Sequence, residues 1–311
     1  MDLSIVIPVY NENENISLLY SELKKVLSEL KKSYELIFVD DGSSDGSFEA
    51  LKRIHRNDKN VKIIKFRRNF GQTAAISAGF ENASGEIVIT MDADLQNDPK
   101  DIPRLLEKIN EGYDIVSGWR KGRKDPLLMK KIPSKISNFL TRKLTGVEIH
   151  DSGCTLKAYK KLALKNIELY GEMHRFIPAI LSWKGFRVSE IPVSHKARKF
   201  GKTKYGVWRI MKGFLDLLVV VFWKKYSTRP IHLFGGLGLL FGFLGFVIGL
   251  YLGIIRIFYN QGISNRPLLL LGILLIILGV QFVIFGLLAD IMVKLYYGKE
   301  VRPYNIEEIL G

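Results

Sequence analysis

Residues 87–99 read IVITMDADLQNDP. The run Ile87-Val88-Ile89-Thr90 is short, β-branched and apolar, which predicts a strand buried on both faces. Immediately behind it stand Asp92, Asp94 and Asp98, in a chain whose formal net charge is +15. Carboxylates this close raise one another's pKa and repel, so the cluster is expected to serve a cation. The plainer alternative is that Asp94 and Asp98 end the strand and cap a helix beginning near Pro99.

The rest of the chain has the same rhythm. Apolar, β-branched runs at 3–9, 35–39, 61–66, 86–91 and 113–117 predict strands, with helical patterns between them. The clearest helical pattern is 13–30, where Ile16, Leu19, Leu23, Val26, Leu27 and Leu30 share a face and Asn11 or Asn13 can cap the start. Alternating strands and helices predict an α/β fold with a mostly parallel, doubly wound sheet, whose ligands bind beyond the carboxyl ends of the strands. Three polar clusters should therefore share one edge: Pro8-Val9-Tyr10-Asn11-Glu12, Asp40-Asp41-Gly42-Ser43 and Asp92-Ala93-Asp94. The segment 41–46 is also good turn chemistry in its own right.

Two stretches belong to another solvent. Leu233–Ile255 holds 23 residues without a charge, and Leu268–Ala289 holds 22 more with Gln281 as the strongly polar exception. Each would span about 33 Å as a helix, enough to cross a bilayer. Three segments follow: a large α/β domain at 1–205, an amphipathic interfacial helix and linker at 206–230, and a membrane domain at 231–311 with two transmembrane helices and a cytosolic tail. The 206–225 stretch mixes Trp208, Phe214, Phe222 and Trp223 with Arg209, Lys212, Lys224 and Lys225, which suits a headgroup layer or an ordinary buried helix. Basic residues favour the flanks (Lys224, Lys225, Arg229, Lys294, Lys299, Arg302) over the connection (Arg256, Arg266), which predicts that the large domain lies in the cytosol. The amino terminus reads as a strand that starts at once, with no leader pattern. Gly238, Gly242, Gly245, Gly249 and Gly253, with Gly272, Gly279 and Gly286, admit close helix pairing or self-association.

A single cysteine, Cys154, excludes an internal disulfide. The surplus of 46 basic over 31 acidic residues fits anionic lipid or a phosphorylated substrate; with no zinc spacing or nucleic-acid module, no nucleic-acid partner is expected.

IVIPVYNENENI, VDDGSSDGS, FRRNFGQTAAISAGF and MDADLQNDP resemble the blocks of family 2 glycosyltransferases with the GT-A (Rossmann-like) fold. Gly118-Trp119-Arg120, DSGCTLKAY (151–159), YGEMHRFIP (170–178) and RKFGKTKYG (198–206) resemble the branch of dolichol-phosphate mannosyltransferases and polyprenyl-phosphate glucosyltransferases, including its form with two carboxyl-terminal spans. The resemblance implies inverting transfer of a hexose from a UDP-glucose-like or GDP-mannose donor to dolichyl or undecaprenyl phosphate, in a prokaryotic cell membrane. It implies that Pro8, Tyr10, Asn11, Glu12, Asp40, Asp41, Asp92 and Ala93 bind the nucleotide, and that Asp92, Asp94 and Gln96 hold Mg2+ or Mn2+. It further implies that Arg120, Lys130, Ser134, Arg198 and Lys204 meet the acceptor phosphate. Asp94, Arg120 and Asp151 are the candidate catalytic residues, Asp151 either as a base or as an orienting group. Members often carry Ser-Lys-Tyr where this chain has Thr203-Lys204-Tyr205, and an arginine where it has Lys130 or Lys131.

A phosphate acceptor is already an oxyanion near neutral pH, so it needs no general base, and backside attack at the anomeric carbon inverts it. The rivals are a processive polysaccharide synthase, whose Gln-xx-Arg-Trp motif follows none of Gln72, Gln96, Gln261 or Gln281, and a non-catalytic membrane scaffold that binds nucleotide sugar.

Overall fold

The computed structural model describes residues 1–121, 139, 141–143, 145–165, 167, 169, 171–196, 222, 230–259, 262, 267–296 and 306–310. The chain forms two compact units, 1–220 with 302–311, and 221–301.

In the first unit the strands are β1 (Leu3–Val9), β2 (Tyr34–Asp40), β3 (Val61–Phe66), β4 (Ile87–Thr90), β5 (Ile115–Trp119), β6 (Lys157–Lys160), β7 (Val188–Pro192) and β8 (Ile306–Leu310). The helices are α1 (Asn13–Glu29), α2 (Ser47–Asn57), α3 (Gln72–Asn82), α4 (Ile102–Asn110), α5 (Lys161–Leu164) and α6 (Ile177–Trp183). The sheet runs β7-β5-β6-β4-β1-β2-β3-β8. Strands β3, β2, β1 and β4 are parallel; β6 is antiparallel to both β4 and β5, and β7 runs parallel to β5. The order reverses about β1, since β2 and β3 build outward on one side and β4 on the other. Such a switch point opens a crevice at the carboxyl ends of the two diverging strands.

The central strands are apolar because both faces are covered. Leu3, Ile5, Ile7, Leu36, Phe38, Val61, Ile63 and Ile89 are among the side chains of one core, and the buried stripe of α1 packs into it. Neither Asn11 nor Asn13 caps α1. Glu12 occupies the cap position without a side-chain bond to the helix backbone, and its Oε2 accepts from Asn15 Nδ2 at 2.6 Å. Asp98 does cap the turn at Pro99–Asp101, accepting from Lys100 N at 3.1 Å.

At the other edge, β8 lies antiparallel on β3, pairing Ile64 with Ile309. The tail thus closes an open sheet edge that would otherwise present unpaired backbone groups.

The second unit contains α7 (Ile231–Phe258) and α8 (Pro267–Tyr296), both long and apolar enough to cross a membrane. Their seam is glycine. A Cβ on Gly238 would lie 2.6 Å from Gly279 O, one on Gly245 2.6 Å from Gly272 O, and one on Gly279 2.7 Å from Gly238 O. Backbones approach this closely only where side chains are missing. Phe282 packs between Phe234 and Phe241, and large side chains such as Phe243, Ile257, Leu270 and Val280 face outward.

Candidate active site

The three expected clusters meet along the carboxyl edge of β1, β2 and β4. Parallel register sets Val9 opposite Asp40 and Val6 opposite Thr90, so the loops beyond them are neighbours. Asn11 is held in the left-handed region at φ 52°; its N–H donates to Ser43 Oγ at 2.9 Å and its Oδ1 accepts from Ser44 N at 2.8 Å. Glu12 N donates to Ser47 Oγ at 2.9 Å. These bonds weld the first loop to the second. Gly42 is obligatory between them: its φ is 71°, and a Cβ there would lie 2.5 Å from the Arg68 carbonyl carbon.

The two adjacent aspartates diverge in role. Asp41 accepts from Phe70 N (2.7 Å), Gly71 N (2.9 Å) and Asn69 Nδ2 (3.0 Å), so it is committed to the loop entering α3. Burial still pushes its carboxyl up to about 6. Asp40 accepts from Ser43 N at 3.1 Å through Oδ1, while its buried Oδ2 has no hydrogen-bond partner among the described residues. A buried acceptor left in this state is costly unless a ligand N–H or O–H meets it. Pro8 is the penultimate residue of β1, and Tyr10 is exposed at its rim. A cavity of about 240 Å3 lined by Asn11–Asn15 and Asp45 adjoins them.

Beyond β4 the chain makes a strained turn. Leu95 is buried at φ 61°, a region that side chains other than glycine rarely occupy, and Gln96 N donates to Asp94 Oδ1 at 3.1 Å. Ala93 and Asp94 are buried. Gln96 also accepts from Lys196 N at 2.9 Å through its carbonyl. Asp92 accepts from Gln72 Nε2 at 2.7 Å on Oδ1 and from Thr155 Oγ1 at 2.6 Å on Oδ2. Burial and the neighbouring Asp94 carboxylate push Asp92 up to about 6. Among the described residues no cluster of three His, Cys, Asp or Glu side chains forms a cage for a metal. Two hard carboxylates on one turn suit a divalent cation that takes its remaining oxygens from water and a diphosphate.

Arg120 and Asp151 form one unit. Arg120 Nε donates to Asp151 Oδ2 at 2.7 Å and Nη2 to Oδ1 at 2.8 Å, a two-pronged pair of nearly buried groups. Burial alone would raise the Asp151 carboxyl, but the guanidinium outweighs it and holds the group below the usual carboxylate range. Both oxygens are thus occupied, which opposes use as a base. The loop that carries Asp151 is underpinned by Lys157, whose buried Nζ donates to Ser152 O at 3.3 Å and to Cys154 O. Burial pulls this ammonium down to about 8, and pushes the Cys154 thiol up to about 11, as befits an inert packing residue.

His174 is buried with Nδ1 2.7 Å from Thr73 Oγ1, and Glu172 pairs with Arg175 at 3.4 Å. Lys130, Ser134, Arg198 and Lys204 lie outside the described residues, as do Lys131 and all but Phe222 and Pro230 of the 206–230 stretch read as interfacial helix and linker. Sequence reading assigned no part to Gln72, Thr155 or Lys157. Lys157 carried the one available signal, a lysine between Leu156 and Ala158 in an apolar segment.

The comparisons with known proteins agree on the family. A family profile described as Glycosyl transferase family 2 matches residues 4–168. The chain is 41% identical over 314 residues to the dodecaprenyl-phosphate galacturonate synthase of Rhizobium johnstonii, covering 99% of this chain and 93% of the relative. It is 36% identical over 311 residues to the undecaprenyl-phosphate 4-deoxy-4-formamido-L-arabinose transferase of Salmonella choleraesuis, with the same coverage. Among solved structures, glucosyl-3-phosphoglycerate synthase from Mycobacterium tuberculosis, crystallised with Mn2+ and UDP-glucose, superposes with TM-score 0.57 at 15% identity, over 71% of this chain and 78% of that one. That likeness establishes the GT-A architecture.

Proposed function

Since the chain belongs to glycosyl transferase family 2, we propose that it transfers a sugar from a nucleotide sugar to a polyprenyl phosphate at a membrane surface. One observation carries this reading. Two relatives named for polyprenyl-phosphate sugar products match 99% of the chain, a span that includes both apolar helices as well as the sheet.

The residues suit the chemistry. Asp40 offers its unpartnered Oδ2 to a donor N–H or O–H of the nucleoside, beside Pro8, Tyr10, Asn11 and Glu12. Asp92 and Asp94, with Gln96 adjoining, would hold Mg2+ or Mn2+, which when bound supplies a Lewis acid for the departing diphosphate. Asp151 serves to orient Arg120, whose guanidinium keeps a positive edge toward the acceptor phosphate. Such a cation is needed because two anions must meet in a poorly solvated cleft, where the repulsion costs several kcal/mol. Lys130, Ser134, Arg198 and Lys204 would complete that acceptor subsite. The acceptor oxyanion attacks the anomeric carbon from behind and inverts it.

The helix pair anchors this chemistry at the lipid, so the isoprenoid stays in the bilayer while its phosphate enters the cleft. Two crossings would return both flanks of the helix pair to one side, the cytosolic face of a prokaryotic cell membrane in this reading. The donor is proposed to be a nucleoside-diphosphate hexose or hexuronate. Purified protein incubated with undecaprenyl phosphate and a panel of UDP-glucose, UDP-galacturonate and GDP-mannose should yield one dominant glycolipid by mass. Hydrolysis of every donor without lipid product would refute the assignment.

A further inference from the structure

Three successive residues and the N–H just before them bind three different blocks of the site. At the entry to α3, Phe70 N and Gly71 N donate to Asp41, Gln72 Nε2 to Asp92, and Thr73 Oγ1 meets His174. From the segment just before β6, Thr155 Oγ1 donates to the second oxygen of Asp92 and lies 3.2 Å from Asn97 Oδ1, while its carbonyl accepts from Thr90 Oγ1 at 2.6 Å. Asp92 is therefore gripped through both oxygens, by groups 20 residues before it and 63 residues after it.

The choice of partner is informative. Among the buried carboxylates of this unit, Asp151, Asp58 and Asp101 have a cationic partner (Arg120, Lys24 and Arg104), whereas Glu35 and Asp41 accept from neutral donors. A cationic partner cancels the charge of a buried carboxylate, whereas neutral donors leave it in place. Asp92 belongs with the second group, with one neutral side-chain donor on each oxygen and a second carboxylate, Asp94, beside it. A neutral donor fixes the plane of the carboxylate without cancelling its charge, and each oxygen keeps a lone pair. This is what a carboxylate requires when the cation arrives with a ligand.

We propose that Gln72 and Thr155 are positioning residues that orient Asp92 toward the cation–diphosphate while preserving its negative charge. The proposal rests on the reading of Asp92 and Asp94 as the cation site. Groups of this kind, which act through a metal ligand, alter metal affinity or activity by about 10–100-fold when removed.

The test uses full-length protein in detergent, with Mn2+ binding followed by electron paramagnetic resonance in parallel arms containing UDP or GDP. Gln72→Met and Thr155→Val keep shape and remove the donors; each should weaken Mn2+ binding by about 10–100-fold. Thr155→Ser should restore it. Gln72→Lys sets an ammonium where the neutral donor stood; it should abolish Mn2+ binding while the thermal midpoint in chelator stays at or above that of the unsubstituted protein. The proposal is overturned if Gln72→Met and Thr155→Val bind Mn2+ normally while Asp94→Asn does not. It is equally overturned if Thr155→Ser is no better than Thr155→Val and both have lost their fold. Normal Mn2+ binding by Asp94→Asn would instead show that the cation reading itself is wrong.

Discussion

Asp94 and Asp92 occupy a turn that is unfavourable in two ways, a left-handed leucine between Asp94 and Gln96 and two carboxylates that repel. Replacing Asp94 by Asn removes a proposed cation ligand and should lower transfer about a hundredfold or more, measured as glycolipid formed per minute. The same change should stabilise the protein in chelator. Because burial and Asp94 raise the folded pKa of Asp92 to about 6, its ionisation disfavours the fold fully above that pH, and the penalty fades as pH falls through 6. The thermal midpoint of Asp94→Asn should therefore exceed that of the parent at pH 8, with the gap closing toward pH 5. Arg120 and Asp151 behave oppositely, since each is the other's partner. Asp151→Ala leaves a guanidinium buried and unpaired, which should cost about 3–5 kcal/mol in denaturant titrations. The carboxylates were legible from residue order alone. Two facts were not: that Asp41 serves the Asn69–Gly71 loop, and that Asp151 grips Arg120 from 31 positions away, both being consequences of tertiary approach.

Among elements, β1 to β5 were readable because strands covered on both faces must be apolar and β-branched, and their lengths set them apart from helices. Strands β6 (KAYK), β7 (VSEIP) and β8 (IEEIL) carry charges that break this pattern, and they pair only because neighbouring strands offer them hydrogen bonds. Glycine spacing announced close helix contact, yet spacing alone left open which surfaces meet. The structure assigns Gly238, Gly245, Gly272 and Gly279 to the α7–α8 seam, while a Cβ on Gly249 would touch nothing within 4 Å. Gly279→Val should thus lower the thermal midpoint of the detergent-solubilised protein through overpacking of about 1–3 kcal/mol, and Gly249→Val should leave it unchanged. Equal effects would place the seam elsewhere.

For the whole molecule, a basic chain with an acidic centre becomes intelligible as a device for bringing anions together. In the proposed reading the cluster at β4 would take the donor diphosphate through a cation, guanidinium and ammonium groups would take the acceptor phosphate, and the two apolar helices would hold the reaction at the lipid. In the acceptor half Arg120 is placed by its pair with Asp151, while for Lys130, Ser134, Arg198 and Lys204 the family resemblance supplies the assignment. The most direct measurement is transfer of radiolabelled sugar to undecaprenyl phosphate by the purified full-length protein, with Mg2+ or Mn2+ and then with excess chelator. Label should enter the lipid only when cation and lipid phosphate are both present, with nucleoside diphosphate released in equal amount. Undiminished labelling of the lipid in chelator would contradict the account.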